Sequence, residues 1–146
     1  MPATGRPLNL HAKLLERETA GRPVTVVVIG AGKFGTMFLS QARLTQGMHV
    51  VAVADLDVGR ARSQLKTAGW PDETYAAPSL ADAHKKRTTF VTDDAEDLIA
   101  DPRIEVIIEA TGVREVHASL LRRLVGGEAL SQQTLQPEIV KRFLQA

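Results

Sequence analysis

The 146-residue chain contains no cysteine. This absence excludes disulfides, thiolate zinc sites, iron–sulfur clusters and a cysteine nucleophile together. The chain also carries little net charge, because 18 Lys and Arg against 17 Asp and Glu leave a formal charge of +1. A dedicated binder of nucleic acid or of anionic membranes needs an excess of positive charge. We therefore expect neither a nucleic-acid partner nor a membrane partner.

Long apolar runs are missing as well. No stretch approaches the roughly 18–20 apolar residues that span a bilayer, and the polar residues 1–10 lack the apolar core of a secretory signal. Since the lack of cysteine also fits a reducing compartment, we expect a cytoplasmic protein. Hydrophobic residues make up 44% and charged residues 24%, which is close to the average of globular domains. This composition predicts one folded domain.

Runs of β-branched apolar residues alternate with helical patterns along most of the chain. Strands are predicted at residues 24–29, 49–54, 89–92 and 104–110. Helices are predicted around them, at residues 8–20, 33–46, 57–68, 79–86, 95–100 and 114–125. This alternation predicts an α/β fold, a Rossmann-like doubly wound parallel sheet preceded by an N-terminal helix. Because no further strand is visible after residue 125, we expect the sheet to be incomplete.

A glycine-rich loop with the spacing Gly30-x-Gly32-x-x-Gly35 follows the first strand and opens a helix. This context is typical of the dinucleotide-binding fingerprint. There the first glycine permits a tight turn, the second lets the backbone approach a pyrophosphate, and the third lets the helix pack on the strand. Lys33 and Phe34 complete the predicted site, because N–H groups at a helix N-terminus bind phosphate. A glycine-rich turn without a ligand is the alternative.

A mononucleotide phosphate loop is the rival interpretation of the Gly32-Lys33 sequence. That motif needs a glycine at position 27 and a serine or threonine at position 34. Val27 and Phe34 occupy these positions. A nucleoside triphosphatase is therefore not expected.

An acidic residue follows the second predicted strand. Asp55 comes after Gly35 at about the 20-residue spacing that is usual for the acid that binds the adenosine ribose. A carboxylate there favours NAD, because it repels the 2′-phosphate of NADP. Arg60 and Arg62 follow closely, however, and a nearby arginine can accommodate that phosphate. NAD is thus slightly favoured and NADP stays open.

A second polar turn ends the last predicted strand. Ligands of open α/β sheets bind beyond the carboxyl ends of the strands. Thr111 and Gly112 are small enough to leave room there for the nicotinamide side of a dinucleotide, and a plain strand-to-helix turn is the alternative. No histidine has a partner at the spacing of metal ligands, so no metal site is predicted. Catalytic residues are not indicated either.

Three segments of the chain resemble a known family. VTVVVIGAGKFGTMFLSQA, HVVAVADLD and IEVIIEATG are similar to the cofactor domain of homoserine dehydrogenase-like oxidoreductases, close to the deoxyxylulose-phosphate reductoisomerase-like group. The resemblance implies NAD(P)-dependent hydride transfer to or from a small carbonyl or hydroxy substrate. It assigns the three glycines to the diphosphate, Asp55 or its neighbours to the adenosine ribose, and Thr111 and Gly112 to the nicotinamide side.

Family members continue into a further strand, a lysine-bearing loop and a substrate domain, which have no counterpart in this chain. We therefore expect residues 1–20 to form an arm and helix, 21–127 the dinucleotide-binding domain, and 128–146 a helical or irregular tail. Such a chain is expected to bind a dinucleotide without turnover. Because an incomplete sheet exposes an edge, self-association is also expected. A non-catalytic dinucleotide-binding or redox-sensing module and a degenerate truncated product remain alternatives.

Overall fold

The computed structural model describes residues 9–111. Within this range, helices and strands alternate along the chain. Their order is α1 (Leu10–Thr19), β1 (Val24–Ile29), α2 (Lys33–Ala42), β2 (Met48–Ala54), α3 (Val58–Thr67), a 3-10 helix (Asp72–Tyr75), α4 (Leu80–Lys86), β3 (Phe90–Thr92), α5 (Ala95–Ala100) and β4 (Val106–Glu109). Among these helices, none has both the length and the apolar character that crossing a membrane requires.

The four strands form one parallel sheet in the order β3-β2-β1-β4. This is the beginning of the 3-2-1-4-5-6 order of Rossmann folds, so the predicted α/β fold with a parallel sheet and an N-terminal helix is confirmed. The strand order reverses at β1, because β2 and β3 follow on one side and β4 lies on the other. In open α/β sheets, the crevice beyond the carboxyl ends at such a reversal is where ligands bind.

The central strands are buried on both faces, which explains their almost unbroken β-branched sequence. On one face, Val28 of β1 packs with α2 and α3 through Leu39 and Leu65. On the other face, Val27 packs with α4 and α5, and Leu98 of α5 is fully buried. Right-handed crossovers place α2 and α3 on one face and α5 on the other, since the chain moves in opposite directions across the sheet before and after β3. Helix α4 precedes β3 but packs on the same face as α5.

Helix α1 is held at the edge of the sheet where the strands begin. Arg17 Nη2 donates to Glu105 Oε1 at 2.6 Å, next to the start of β4. Glu18 accepts hydrogen bonds from the N–H of Gly47, ahead of β2, and from the guanidinium of Arg87, ahead of β3. No residue of α1 is buried. Polar contacts with the starts of three strands therefore position this helix, each ion pair contributing about 1 kcal/mol or less.

The structure differs from the predicted elements mainly at their ends. Helix α2 stops at Ala42 rather than at residue 46, because the next residues turn into Gly47 (φ +83). A Cβ on Gly47 would lie 2.0 Å from the carbonyl oxygen of Leu14, so α1 packs directly on this turn. The last strand is shorter than predicted, and the 3-10 helix was not predicted. The predicted helix at 114–125, the tail at 128–146 and the arm at 1–8 lie outside the described residues.

Helix α2 makes an unusually close approach to the end of β1. A Cβ built on Gly35 would lie only 2.0 Å from the carbonyl oxygen of Gly30. A backbone atom cannot move away as the end of a flexible side chain can. Glycine at position 35 is therefore required for the packing of α2 on the sheet.

We expect Gly35→Ala to lower the free energy of unfolding by about 1–3 kcal/mol, the usual cost of overpacking a tight contact. This loss should appear although alanine is the better helix former. Gly32→Ser is the matched control. Gly32 is extended, caps α2 and has no atom within 4 Å of a built Cβ, and serine is a preferred N-cap. Urea denaturation should show unchanged or higher stability for Gly32→Ser, and equal losses in both variants would contradict this packing.

Candidate functional site

A cleft of about 360 Å³ opens beyond the carboxyl ends of the strands. Its walls come from the turn after β1, the end of β2, the loop after β3 and the end of β4. Four of the residues singled out by sequence meet in this wall, namely Gly30, Gly32, Asp55 and Thr111. The cleft lies at the point where the strand order reverses, and its volume is in the range of small-molecule sites.

Gly30 joins the ends of β1 and β4. Its φ is +97°, a conformation that residues with a side chain rarely adopt. A Cβ here would lie 2.9 Å from both the backbone nitrogen and Cγ2 of Thr111. The N–H of Gly30 donates to the carbonyl of Ala54 at 2.7 Å, which ties the turn to β2. The fold itself therefore requires glycine at position 30.

Gly32 has a different environment, although it belongs to the same loop. Its backbone is extended (φ −77°, ψ −161°), and a built Cβ meets no atom within 4 Å. The fold could therefore accept a side chain at this position. Glycine keeps open the part of the cleft that lies in front of the first turn of α2, where a ligand could approach the backbone.

The first turn of α2 borders this open space. N–H groups in the first turn of a helix have no partner within the helix, and no side chain caps α2. The side chains of Lys33 and Phe34 are exposed. Lys33, Phe34 and Gly35 do not line the cleft itself. What the first turn of α2 can offer next to Gly32 is backbone N–H groups and the positive end of the helix dipole, which together suit an anion.

Asp55 lies at the centre of a hydrogen-bond network at the end of β2. Its side chain is only 2% exposed. Oδ2 accepts from the N–H of Ala31 at 2.8 Å, and Oδ1 accepts from the N–H of Asp57 at 2.8 Å. Arg60 Nη2 lies 3.0 Å from Oδ1 and 2.8 Å from Oδ2. Burial raises the pKa of Asp55, but the hydrogen bonds from Arg60, Ala31 and Asp57 outweigh it and hold the pKa below its usual value.

The last residue of β4 is a second buried carboxylate, which the sequence analysis did not single out as a site residue. Glu109 is buried and accepts hydrogen bonds from the backbone N–H of Thr111 at 2.8 Å and from its hydroxyl. The N–H of Ala110 donates to the carbonyl of Ile29 at 2.8 Å. Thr111 is thus fixed beside Gly30. Gly112, its predicted neighbour in the site, lies outside the described residues.

Leu56 is a further site residue that sequence reasoning missed. It lines the cleft directly after Asp55, and 95% of it is exposed. A large apolar side chain in this position offers an exposed apolar surface against which a ring could pack. The sequence feature that could have indicated Leu56 is its position between Asp55 and Asp57, the N-cap of α3. Within residues 9–111, no group of three or more side chains is arranged to hold a metal ion.

The chain matches no model of a known protein family, and no curated protein matches it. The resemblance to homoserine dehydrogenase-like oxidoreductases therefore stays a prediction that rests on three sequence segments.

The contacts of Asp55 predict a pH-dependent stability. The pKa of Asp55 is lowered in the folded state. As the pH falls through the usual range near 3.9, Asp55 is therefore protonated in the unfolded chain before it is protonated in the folded one. The contribution of Asp55 is then lost progressively until the pH passes the folded-state pKa. We expect the free energy of unfolding of Asp55→Asn to be about 1–3 kcal/mol lower than that of the parent at pH 7. The difference should be smaller at pH 3. An equal difference at both pH values in urea titrations would contradict this.

Proposed function

We propose that this chain is the NAD(P)-binding domain of an oxidoreductase and that the dinucleotide binds in the cleft beyond β1 and β4. One observation carries the proposal. Gly30 and Gly35 are required by the fold, whereas Gly32 is not, since its conformation and surroundings would accept a side chain. A glycine that the fold does not need, at a helix N-terminus in a cleft, fits the close approach of a pyrophosphate.

The residues around the cleft suit the successive parts of a dinucleotide. The N–H groups at the start of α2 would hold the diphosphate. Asp55 and Arg60 would lie towards the adenosine ribose, and the exposed face of Leu56 towards the adenine. Thr111, on the other side of Gly30, would lie towards the nicotinamide half. This order follows the order of the strand ends, β2, β1 and β4, across the sheet.

A bound NAD(P) supplies the hydride donor or acceptor, and a small carbonyl or hydroxy compound is the proposed reaction partner. The chain contributes binding and orientation. Ile29 and Ala54 form a buried apolar part of the cleft wall, which keeps water from one side of the site. Glu109 fixes Thr111 in the turn after β4. The sequence indicates no acid or base for this reaction.

We expect Gly32→Val to abolish dinucleotide binding while the domain stays folded. The branched side chain would fill the space that a pyrophosphate needs, but it would meet no protein atom where the Cβ is placed. Calorimetric titration of the full chain with NADH and with NADPH measures the loss, and circular dichroism checks the fold.

Gln46→Val is the control for this experiment, because it adds the same side chain in an exposed turn before β2 at the opposite edge of the sheet. It should bind as the parent does. Undiminished binding by a folded Gly32→Val variant would refute the proposed diphosphate site.

A further inference from the structure

The carboxylate of Asp55 is fully engaged within the protein. An ionised carboxylate offers about four lone-pair positions, and Ala31, Asp57 and Arg60 together supply four hydrogen-bond contacts to its two oxygens. The side chain is 2% exposed. A ribose hydroxyl could reach either oxygen only by displacing one of these donors.

Arg60 pairs with Asp55 in the wall of the cleft, and its side chain is 54% exposed. Its guanidinium carries five N–H donors, of which the two on Nη2 face the carboxylate. The donors on Nε and Nη1 make no hydrogen bond to any described residue. Arg60 therefore presents unused donors to the cleft while Asp55 holds its position, and a planar guanidinium of this kind suits bidentate binding of phosphate.

Direct contact matters here because the overall charge of the cleft wall does not favour a phosphate. Asp55 and Asp93 both line the cleft, and Arg60 is the cation that lines it in the described part of the chain. Arg62 lies elsewhere on α3, close to Tyr75. The hydrogen bond to Asp72 raises the pKa of Tyr75, and the positive charge of Arg62 opposes this rise. A phosphate group beside Asp55 would therefore depend on Arg60.

We propose that Arg60 binds the 2′-phosphate of NADP, that Asp55 is the residue which positions Arg60, and that this chain prefers NADP to NAD. The inference rests on the proposed function, since it identifies which dinucleotide the same cleft takes. It departs from the preference for NAD that the spacing of Asp55 suggests. In this arrangement the guanidinium lies between the carboxylate and the phosphate and neutralises the repulsion between them.

The test is calorimetric titration of the full chain with NADP⁺ and NAD⁺, and with adenosine 2′,5′-bisphosphate and adenosine 5′-monophosphate, which isolate the 2′-phosphate. We expect the ligand of each pair that carries the 2′-phosphate to bind more tightly. Arg60→Gln should weaken NADP⁺ roughly 10- to 100-fold, the size of a lost hydrogen bond to a charged group. Its effect on NAD⁺ should be smaller, because NAD⁺ carries no 2′-phosphate. Arg62→Gln removes the same charge from the same helix and should leave the ratio of the two affinities unchanged.

Asp55→Asn separates positioning from direct ribose binding. If Asp55 positions Arg60, this variant loses affinity for NADP⁺ more than for NAD⁺. If Asp55 binds the ribose, NADP⁺ gains relative to NAD⁺, and the inference is wrong. A purely structural role would lower both affinities alike, which would also overturn it.

The two proposals fail separately. If the parent binds neither dinucleotide, the proposed function fails and the inference fails with it. If the parent binds NAD⁺ more tightly, or if Arg60→Gln and Arg62→Gln have equal effects, the cleft is a dinucleotide site but Arg60 does not select NADP.

Discussion

Helix α2 can point its first turn over the strand ends only because its backbone touches the turn after β1. Gly35 lies against the carbonyl of Gly30, and Gly30 in turn lies against the backbone of Thr111. A side chain at position 30 or 35 would separate α2, β1 and β4 at the point where they meet. The cleft, the unpaired N–H groups that border it and the position of Thr111 all depend on this pair of backbone contacts.

Asp55 supplies the second constraint, and it is electrostatic. A buried carboxylate is costly unless its charge is paired and its oxygens are hydrogen-bonded. Here the donors come from the glycine loop (Ala31), from the start of α3 (Asp57) and from the first turn of α3 (Arg60). The carboxylate therefore fixes the loop after β1 relative to α3. The geometry of the glycine loop and the orientation of the one cleft-lining arginine among the described residues are coupled through this side chain.

Much of this fold could be predicted from the sequence because its signals are local. Buried parallel strands appear as runs such as Val24–Ile29, and the glycine spacing marks the turn into α2. The end of α2 was harder to predict. The turn that follows it, at Gly47, packs directly on the backbone of Leu14, which is far away in sequence. Spacing also located Asp55 at the cleft wall, since a residue that ends a parallel strand necessarily lies at the carboxyl edge of the sheet.

The contacts of Asp55 could not be read from spacing. Arg60 and Arg62 are equally plausible partners in sequence, but residues two apart on a helix point about 200° apart around its axis. Only the orientation of α3 on the sheet decides which of them faces β2. The structure directs Arg60 to Asp55 and leaves Arg62 towards Tyr75, so a choice between two similar side chains depends on tertiary packing.

The proposed anion site does not require a net positive charge on the chain, because the donors that would hold an anion are local. The side chains that line the cleft include two carboxylates and a single guanidinium among the described residues, so they do not attract phosphate as a group. Attraction has to come from oriented donors, namely the first turn of α2 and the guanidinium that Asp55 holds in place. Oriented donors act over the length of a hydrogen bond, whereas a diffuse basic patch acts over a Debye length of about 8 Å at physiological salt. If the proposed function holds, recognition in this cleft depends on fit at two fixed points, with the diphosphate at the first turn of α2 and the 2′-phosphate at Arg60.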